Sequence, residues 1–561
     1  MSAAQASQPI PITGQRTLSS KEQVLRSQAM ACNLPEKNKP SCTGQVYLGM
    51  FFDGTGNNRD KDLPLHQQSN IVRLWKVHLD SNTKSFAVAP PVFWRKEYIP
   101  GVGTPFPEIG EKGNSTTGRA MANGGQSRIF WGLIQTINVM HRYVMSGAPL
   151  IPDGEAGKFA QGKGDGAASE ALADLKPKVA ALKGILSSVK PTITQFNISV
   201  FGFSRGAAQA RTFCTWFYQL CEQSGGGYTF AGIPVRIYFL GIFDTVAAVG
   251  ATSMDVFKED VVSGHATWAK GTLAIPAAVE RCVHFVASHE VRGCFPLDSV
   301  RHMGQYPGNC IEVVYPGTHS DVGGGYKPVA QGRSALPSEG NSYSFSALIP
   351  CIDMHKEAIA TGVPFQTLLQ MTEKDKRDFT ASPQTIEDYN AYLKADSVSG
   401  SLEAMFKQRM HRYRLYRYKK MMTYVDDAVK QGSPREDTTF LRVTNNDFVE
   451  KCEEFKRKYK RIADLVEKDE LAKLVNRSTS TERVSASERK KALLASNFNA
   501  DDLEMWEGMH RIGGLTDMVI KFFDHYIHDS IAGFAQDGVR EYKYNGRGHF
   551  RSRNIYDKGG K

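Results

Sequence analysis

Ile198-Ser199-Val200-Phe201-Gly202-Phe203-Ser204-Arg205-Gly206-Ala207-Ala208 decides the fold of this chain. The apolar run at 198–201 reads as a buried strand, and a helix is expected from about Arg205. A G-x-S-x-G pattern between a strand and a helix is a nucleophile elbow. Gly202 and Gly206 suit it because the turn is too tight for a Cβ there. The turn lifts Ser204 above the sheet edge and sets its backbone N–H at a helix N-terminus. Nucleophile and one oxyanion donor then come from a single turn. The bare pattern is weak in a chain with 51 glycines, so the flanks matter. Ala207, Ala208 and Ala210 allow close helix–sheet packing. Phe213, Cys214, Phe217, Leu220 and Cys221 continue an apolar face at helical spacing.

Two more strand ends carry chemistry. Ile237-Tyr238-Phe239-Leu240-Gly241-Ile242-Phe243 is a second buried run, and Asp244-Thr245 follow it. Ile311-Glu312-Val313-Val314-Tyr315 is a third, followed by Pro316-Gly317-Thr318-His319-Ser320-Asp321. Catalytic groups in open α/β sheets collect beyond the carboxyl ends of the strands. Ser204, Asp244 and His319 all fall there, in the chain order Ser, Asp, His used by α/β-hydrolases. The hydroxyl of Ser204 is inert until His319 takes its proton. Asp244 would hold the imidazole in the right tautomer and stabilise the imidazolium. His528, in the run His528-Asp529-Ser530, is the alternative base. It sits late in a helical segment rather than after a strand.

Four segments together resemble one enzyme group: Phe51-Phe52-Asp53-Gly54-Thr55-Gly56-Asn57-Asn58, the elbow, Phe243-Asp244-Thr245-Val246, and Thr318-His319-Ser320-Asp321-Val322-Gly323-Gly324-Gly325-Tyr326. They look like the DUF2235 α/β-hydrolases, and within them the first family of type VI secretion lipase effectors. The resemblance covers about residues 44–330 well and the C-terminal part weakly. It implies that Ser204, Asp244 and His319 form the triad, that the enzyme is a phospholipase A acting on bacterial glycerophospholipids, and that it is delivered into a rival cell to act at its periplasm and membrane. A cognate immunity protein and a VgrG-like spike or adaptor are the partners it implies. Related hydrolases also share an acid–Arg–Phe motif of structural role, here Glu290, Arg292 and Phe295.

Val46–Phe52 is a strand candidate, and Asp53-Gly54-Thr55-Gly56-Asn57 is a turn signal. In the hydrolase reading this loop gives the second oxyanion donor, with Asp53, Gly54, Thr55 and Arg205 around the oxyanion. A phosphatase D-x-D-G-T loop would need an aspartate at Phe51, so that nucleophile is missing. No metal or organic cofactor is needed by the chemistry. Asp53 and Asp321 are far short of the roughly six to eight oxygens of a calcium cage.

The 561 residues suffice for several domain-sized units, and 23% charged against 41% hydrophobic residues suits a globular protein. No apolar run approaches the ~18–20 residues of a membrane span. Met1 to Cys42 lacks an apolar h-region, so no Sec signal peptide is expected. The product is expected to be made in the cytoplasm and to leave through a machine that needs no such signal. Nine scattered cysteines without a C-x-x-C pair favour free thiols and argue against zinc.

The expected architecture is an α/β-hydrolase core with a mostly parallel sheet and a helical insertion. Its parts are a flexible segment at 1–43, the triad-bearing core at 44–345, a charge-rich helical cap at 346–500 and a return to the core at 501–561. The tracts 101–125 and 152–166 read as loops, and 476–487 as a link. The net charge of +11 favours acidic partners. Phe406–Met422 holds seven cations and no acid. It is either a solvated helix packed by an apolar stripe, or a basic amphipathic helix lying on anionic lipid through Arg412, Arg414, Arg417 and Lys419. No nucleic-acid module accompanies it. Two other functions fit the same chain: an esterase for small soluble esters, and a catalytically silent adaptor that binds a secretion spike.

Overall fold

A computed structural model describes residues 6–14, 16–31, 43–81, 90–115, 124–162, 168–246, 265, 267–334, 345–476, 485–498, 500–511, 514–534, 550 and 552–559. Six strands form a parallel sheet: β1 (Thr43–Phe52), β2 (Val92–Ile99), β3 (Thr192–Phe203), β6 (Ile233–Phe243), β7 (Cys282–Ala287) and β9 (Cys310–Tyr315). Their spatial order is β2-β1-β3-β6-β7-β9. An antiparallel hairpin, β4 (Glu222–Ser224) and β5 (Gly227–Phe230), pairs with the start of β6. The short strand β8 (Leu297–Asp298) pairs in parallel with β10 (Ile555–Tyr556).

Both sheet faces are covered, which is why the central strands read as continuous apolar runs. Alternation sends Val46, Leu48, Met50 and Phe52 to one face and Tyr47 and Phe51 to the other. On the first face lie α3 (Gly125–Val144), α4 (Asp153–Gly162), α5 (Ala168–Ser188) and α6 (Arg205–Gln219). On the second lie α2 (Asn70–Val77), α8 (Leu348–Ala360), α9 (Pro383–Ala395), α10 (Leu402–Lys420) and α15 (Asp517–Tyr526). One core cluster there unites Phe201 and Phe239 of the strands with Met354, Tyr392, Tyr413 and Phe522. The helical stretch expected as a cap from 346 therefore begins by sharing the sheet's own core. Only further on, past α11 (Tyr424–Lys430), do α12 (Arg435–Asn476), α13 (Ala486–Asn497) and α14 (Ala500–Arg511) gather a separate cluster around Phe455 and Trp506.

In the N-terminal segment, expected to be flexible, the described residues 6–14 and 16–31 make fixed contacts. Ser7 bridges to Val313 on the outer edge of β9, Ile12 is fully buried, and Arg16 pairs with Asp353. α1 (Ser20–Ala31) follows. The Gly-rich tract at 152–166 contains α4, because Ala156, Gly157 and Ala160 make a small-residue face that is buried. Residues 477–484 of the link expected at 476–487 lie outside the described residues. Among the described residues no helix is long and apolar enough to cross a membrane, and the seven described cysteines are free.

Candidate active site

Register brings the motifs together. Phe52 pairs with Gly202, Gly202 with Ile242, and Phe203 with Phe243. The residues that follow these strands, Asp53, Ser204 and Asp244, thus leave one sheet edge side by side. Ser204 sits at φ 59° and ψ −128°, a strained conformation for a residue with a Cβ, and α6 starts directly after it. Its N–H donates to Phe243 O at 3.0 Å, and its carbonyl accepts from Val246 N. Those bonds hold the elbow in its strained turn. Close approach explains both glycines. A Cβ on Gly206 would stand 2.3 Å from Asp53 O, and one on Gly202 would stand 2.6 Å from Ala207 Cα. Arg205 opens α6 and is buried.

Asp244 also has a positive φ, 40°. Its carboxylate is buried and receives four bonds. Oδ2 takes His319 Nδ1 at 2.5 Å and Arg553 Nη2 at 2.8 Å. Oδ1 takes Ala287 N at 2.9 Å and Arg553 Nη1 at 2.7 Å. Burial alone would raise this carboxyl, but Arg553 and His319 outweigh it and hold it far below the usual carboxylate range. The adjoining Thr245 N–H donates to His284 Nε2, and His284 Nδ1 meets Glu312 Oε1 at 2.8 Å. That buried chain anchors the strand end beneath Asp244.

His319 opens α7 (His319–Gly323), which Thr318 starts by donating from N and Oγ1 to Asp321 Oδ2. The imidazole lies between Phe203, centroid 4.6 Å away, and Phe295 at 4.9 Å. A Cβ on Gly323 would strike Phe203 at 1.9 Å, so this glycine lets α7 seat the ring against the elbow strand. Burial lowers the His319 pKa, and Asp244 opposes that without cancelling it. The backbone N of His319 donates to Glu290 Oε2, and Glu290 forks with Arg292 at 2.9 and 3.0 Å. Among the described residues no hydrogen bond joins the Ser204 hydroxyl to the imidazole.

Two expectations about neighbouring groups change. The loop after β1 offers fewer donors than its turn signal suggested. Asp53 N donates to Ile99 O, Gly54 N to Asp53 Oδ1, and Gly56 N to Val102 O. Asp53 instead locks the loop, accepting from Ser69 Oγ and Tyr98 OH at 2.6 Å each, while burial pushes its carboxyl up to about 7. The Oγ1 of Thr55 in this loop is buried without a partner among the described residues. Among the described residues His528 has no hydrogen bond to Asp244. Its Nδ1 meets Asp321 Oδ1 at 2.6 Å, and its ring stacks on Tyr326 at 3.7 Å. A cleft of about 250 Å³ opens beside that pair, between Gln67, Tyr326, Gln331, Phe440 and Gly533.

The candidate lipid contacts on α10 are corrected by burial. Arg417 is fully buried, paired to Asp529 at 2.7 Å and set over the Tyr424 ring at 3.7 Å. Arg414 is buried as well, and Arg412 pairs with Asp396. Lys419 alone of the four is exposed. Because the helix shares the core through Tyr413 and Tyr416, three of its seven cations, Arg409, Arg414 and Arg417, are buried, and Lys407, Arg412, Arg417 and Lys420 pair with acids outside the run. Sequence reading missed Arg553 altogether, as well as the link from Ser530 Oγ to Glu290 Oε1 at 2.9 Å. Nothing local marks Arg553, since Arg551-Ser552-Arg553-Asn554 reads as a polar surface stretch.

A family model described as "T6SS, Phospholipase effector Tle1-like, catalytic domain" matches residues 48–221 and 221–346. No curated protein matches the chain. Among solved structures, an uncharacterized protein from Pseudomonas aeruginosa is 23% identical, with a TM-score of 0.70 over 98% of this chain and 84% of that one. That likeness is one of fold. A Tle1 effector bound to the VgrG spike of the type 6 secretion system is 24% identical over 52% of this chain and 53% of that one, with a TM-score of 0.28.

Proposed function

This chain belongs to the family of Tle1-like phospholipase effectors of type VI secretion, and from that premise we propose that it is a phospholipase A working through Ser204, His319 and Asp244. The observation that carries the proposal is the buried Asp244–His319 pair, 2.5 Å long, beside the strained elbow of Ser204. Ser204 Oγ attacks the carbonyl carbon of an acyl ester, and His319 Nε2 takes the hydroxyl proton. The charge that develops on the ester oxygen is met by N–H groups at the start of α6 and by the Thr55 side of the neighbouring loop. His319 then gives its proton to the departing alcohol of the lysophospholipid. Water, deprotonated by the same imidazole, releases the fatty acid from the acyl-Ser204 intermediate. Asp244 fixes the tautomer with Nδ1 protonated, which leaves Nε2 free to accept.

The substrate reading, membrane glycerophospholipid, rests on the family. Carriage on a VgrG-like spike or adaptor, a cognate immunity protein and action at the periplasmic side of a target cell belong to the same proposal. The test is hydrolysis of defined phospholipids by the purified chain, with products resolved by mass spectrometry, together with labelling by a fluorophosphonate. Wild type is expected to release fatty acid and to be labelled at Ser204; Ser204→Ala should do neither while keeping its melting temperature. A Ser204→Ala protein that still hydrolyses lipid refutes the mechanism. One that fails to hydrolyse yet still kills rival cells supports the silent adaptor instead.

A further inference from the structure

Arg553 reaches the site from the far end of the chain, and backbone pairing fixes its approach. Ile555 and Tyr556 pair with Leu297 and Asp298. Asn554 O accepts from Leu297 N, and Tyr556 O accepts from Ser299 N. Two residues ahead of that strand, the Arg553 side chain is only 1% exposed. Nε donates to Phe295 O and Nη1 to Ala287 O, both at 2.9 Å. The remaining fork closes on both oxygens of Asp244 at 2.7 and 2.8 Å. Every donor direction of the guanidinium plane that matters here is tied to β7, to the 295 loop or to Asp244.

A triad carboxylate that already accepts from His319 and Ala287 N has no shortage of donors. A second cation on it does two separate things. The planar fork fixes the plane of the carboxylate, and with it the line from Oδ2 to His319 Nδ1. The charge shares Oδ2 with the imidazole, so it competes for the acid's stabilisation and repels an imidazolium. The other charged groups facing His319 are already paired. Glu290, which accepts from its backbone N, is matched by Arg292, and Asp321, two residues along α7, is hydrogen-bonded to Thr318 and His528. Arg553 is thus the cation in direct competition with His319 for its orienting acid.

We propose that Arg553 is a positioning residue for ester hydrolysis, aligning Asp244 with His319 and restraining the imidazole from taking a proton before substrate arrives. The proposal rests on the triad reading above. It is tested on the full chain with a short soluble ester, measuring kcat and KM from pH 4.5 to 8.5 beside thermal melting, for wild type, Arg553→Gln and Arg553→Lys. Arg553→Gln loses the charge, so the acid limb of kcat/KM should move up by about one pH unit. Its plateau kcat should fall about ten- to a hundredfold through the loosened carboxylate, with KM little changed. Arg553→Lys keeps the charge and loses the fork, so its kcat should fall while its acid limb stays with wild type. An unmoved limb and unchanged kcat in a folded Arg553→Gln overturn the proposal. So does a loss of rate that only follows a lowered melting temperature with the limb in place. Where Arg553→Gln does not fold, a wild-type kcat in Arg553→Lys is the refuting result. If wild type itself neither hydrolyses the ester nor takes a fluorophosphonate on Ser204, the triad reading fails and this inference falls with it. A labelled, active wild type with an unmoved variant refutes Arg553 alone.

Discussion

Asp244→Asn should injure both catalysis and stability, and the two injuries should come apart in a double variant. The carboxylate accepts from Ala287 N and Arg553 Nη1 on one oxygen, and from His319 Nδ1 and Arg553 Nη2 on the other. An amide has one oxygen. Placed toward Ala287, it leaves its NH₂ facing two donors; flipped, it faces the other two. In the first pose His319 can bond only by taking the opposite tautomer, with Nε2 protonated and unable to accept from Ser204. A wrong tautomer costs about 10⁴ in kcat in a triad of this kind. The stability loss comes from Arg553, which would keep its charge at 1% exposure with no counter-ion. Breaking one side of a buried pair costs about 3–5 kcal/mol. Adding Arg553→Met to Asp244→Asn removes the orphaned charge and should restore most of that stability, without restoring activity. Urea unfolding and soluble-ester kinetics on the four proteins of this cycle check it. An Asp244→Asn chain as stable as wild type would refute the buried pair. A double variant that regained hydrolysis would refute Asp244 as the orienting acid.

Gly206→Ala should lower soluble-ester kcat by about 10²–10³ through a displaced oxyanion loop, because its Cβ meets the Asp53 and Phe52 carbonyls at 2.3 and 2.4 Å, both backbone. The accompanying loss of stability should be about 1–3 kcal/mol by denaturant titration. His319→Ala should abolish hydrolysis, whereas His528→Ala should keep it within about tenfold, since His528 answers to Asp321; the reverse pattern in the same assay would exchange their roles. Because burial lowers the His319 pKa and catalysis needs the neutral ring, the acid limb of kcat/KM should lie below the ordinary histidine value of about 6.5, and a limb above it would contradict the buried setting. Arg417→Glu should destabilise the fold by at least about 3–5 kcal/mol, since it sets an acid against Asp529 in a fully buried site; a fully stable variant with weakened liposome binding would return this residue to the lipid surface.

The sheet was legible because its central strands are buried on both faces and so announce themselves as unbroken apolar runs. Each run ends at a polar motif for the same geometric reason, that the carboxyl ends share one edge. β2 escaped notice, since Val92–Ile99 is an edge strand carrying Arg95, Lys96 and Glu97, with most of its residues only half-buried. On α10 the packed apolar stripe of Phe406, Met410 and Tyr413 was legible, whereas the burial and pairing of its cations were not. A run of cations without acids inside it looks like a surface, yet its acids are Asp396 before it, Asp427 just after it, Glu504, and Asp524 and Asp529 about a hundred residues on. Arg553 is the extreme case, 309 positions from Asp244. Sequence pattern reports periodicity and local turns, and a contact of that separation leaves no trace in either.

The distant arginine also changes what acid can do to the site. Asp244 is buried, and by itself burial would favour its protonated form. Docking of the 552–556 stretch supplies the charge that keeps it ionised, so docking and ionisation support each other. The sign follows from the direction of the shift. A carboxyl whose folded pKa lies below its unfolded value of about 3.9 adds stability above that value, and loses it only as pH falls through the lower, folded one. Across neutral and mildly acidic conditions the Arg553–Asp244 clasp therefore stays closed, and titration of Asp244 cannot gate the enzyme. Loss of activity on acidification in that range then enters through His319, or through Asp53 beside the elbow, whose buried carboxyl is pushed up to about 7.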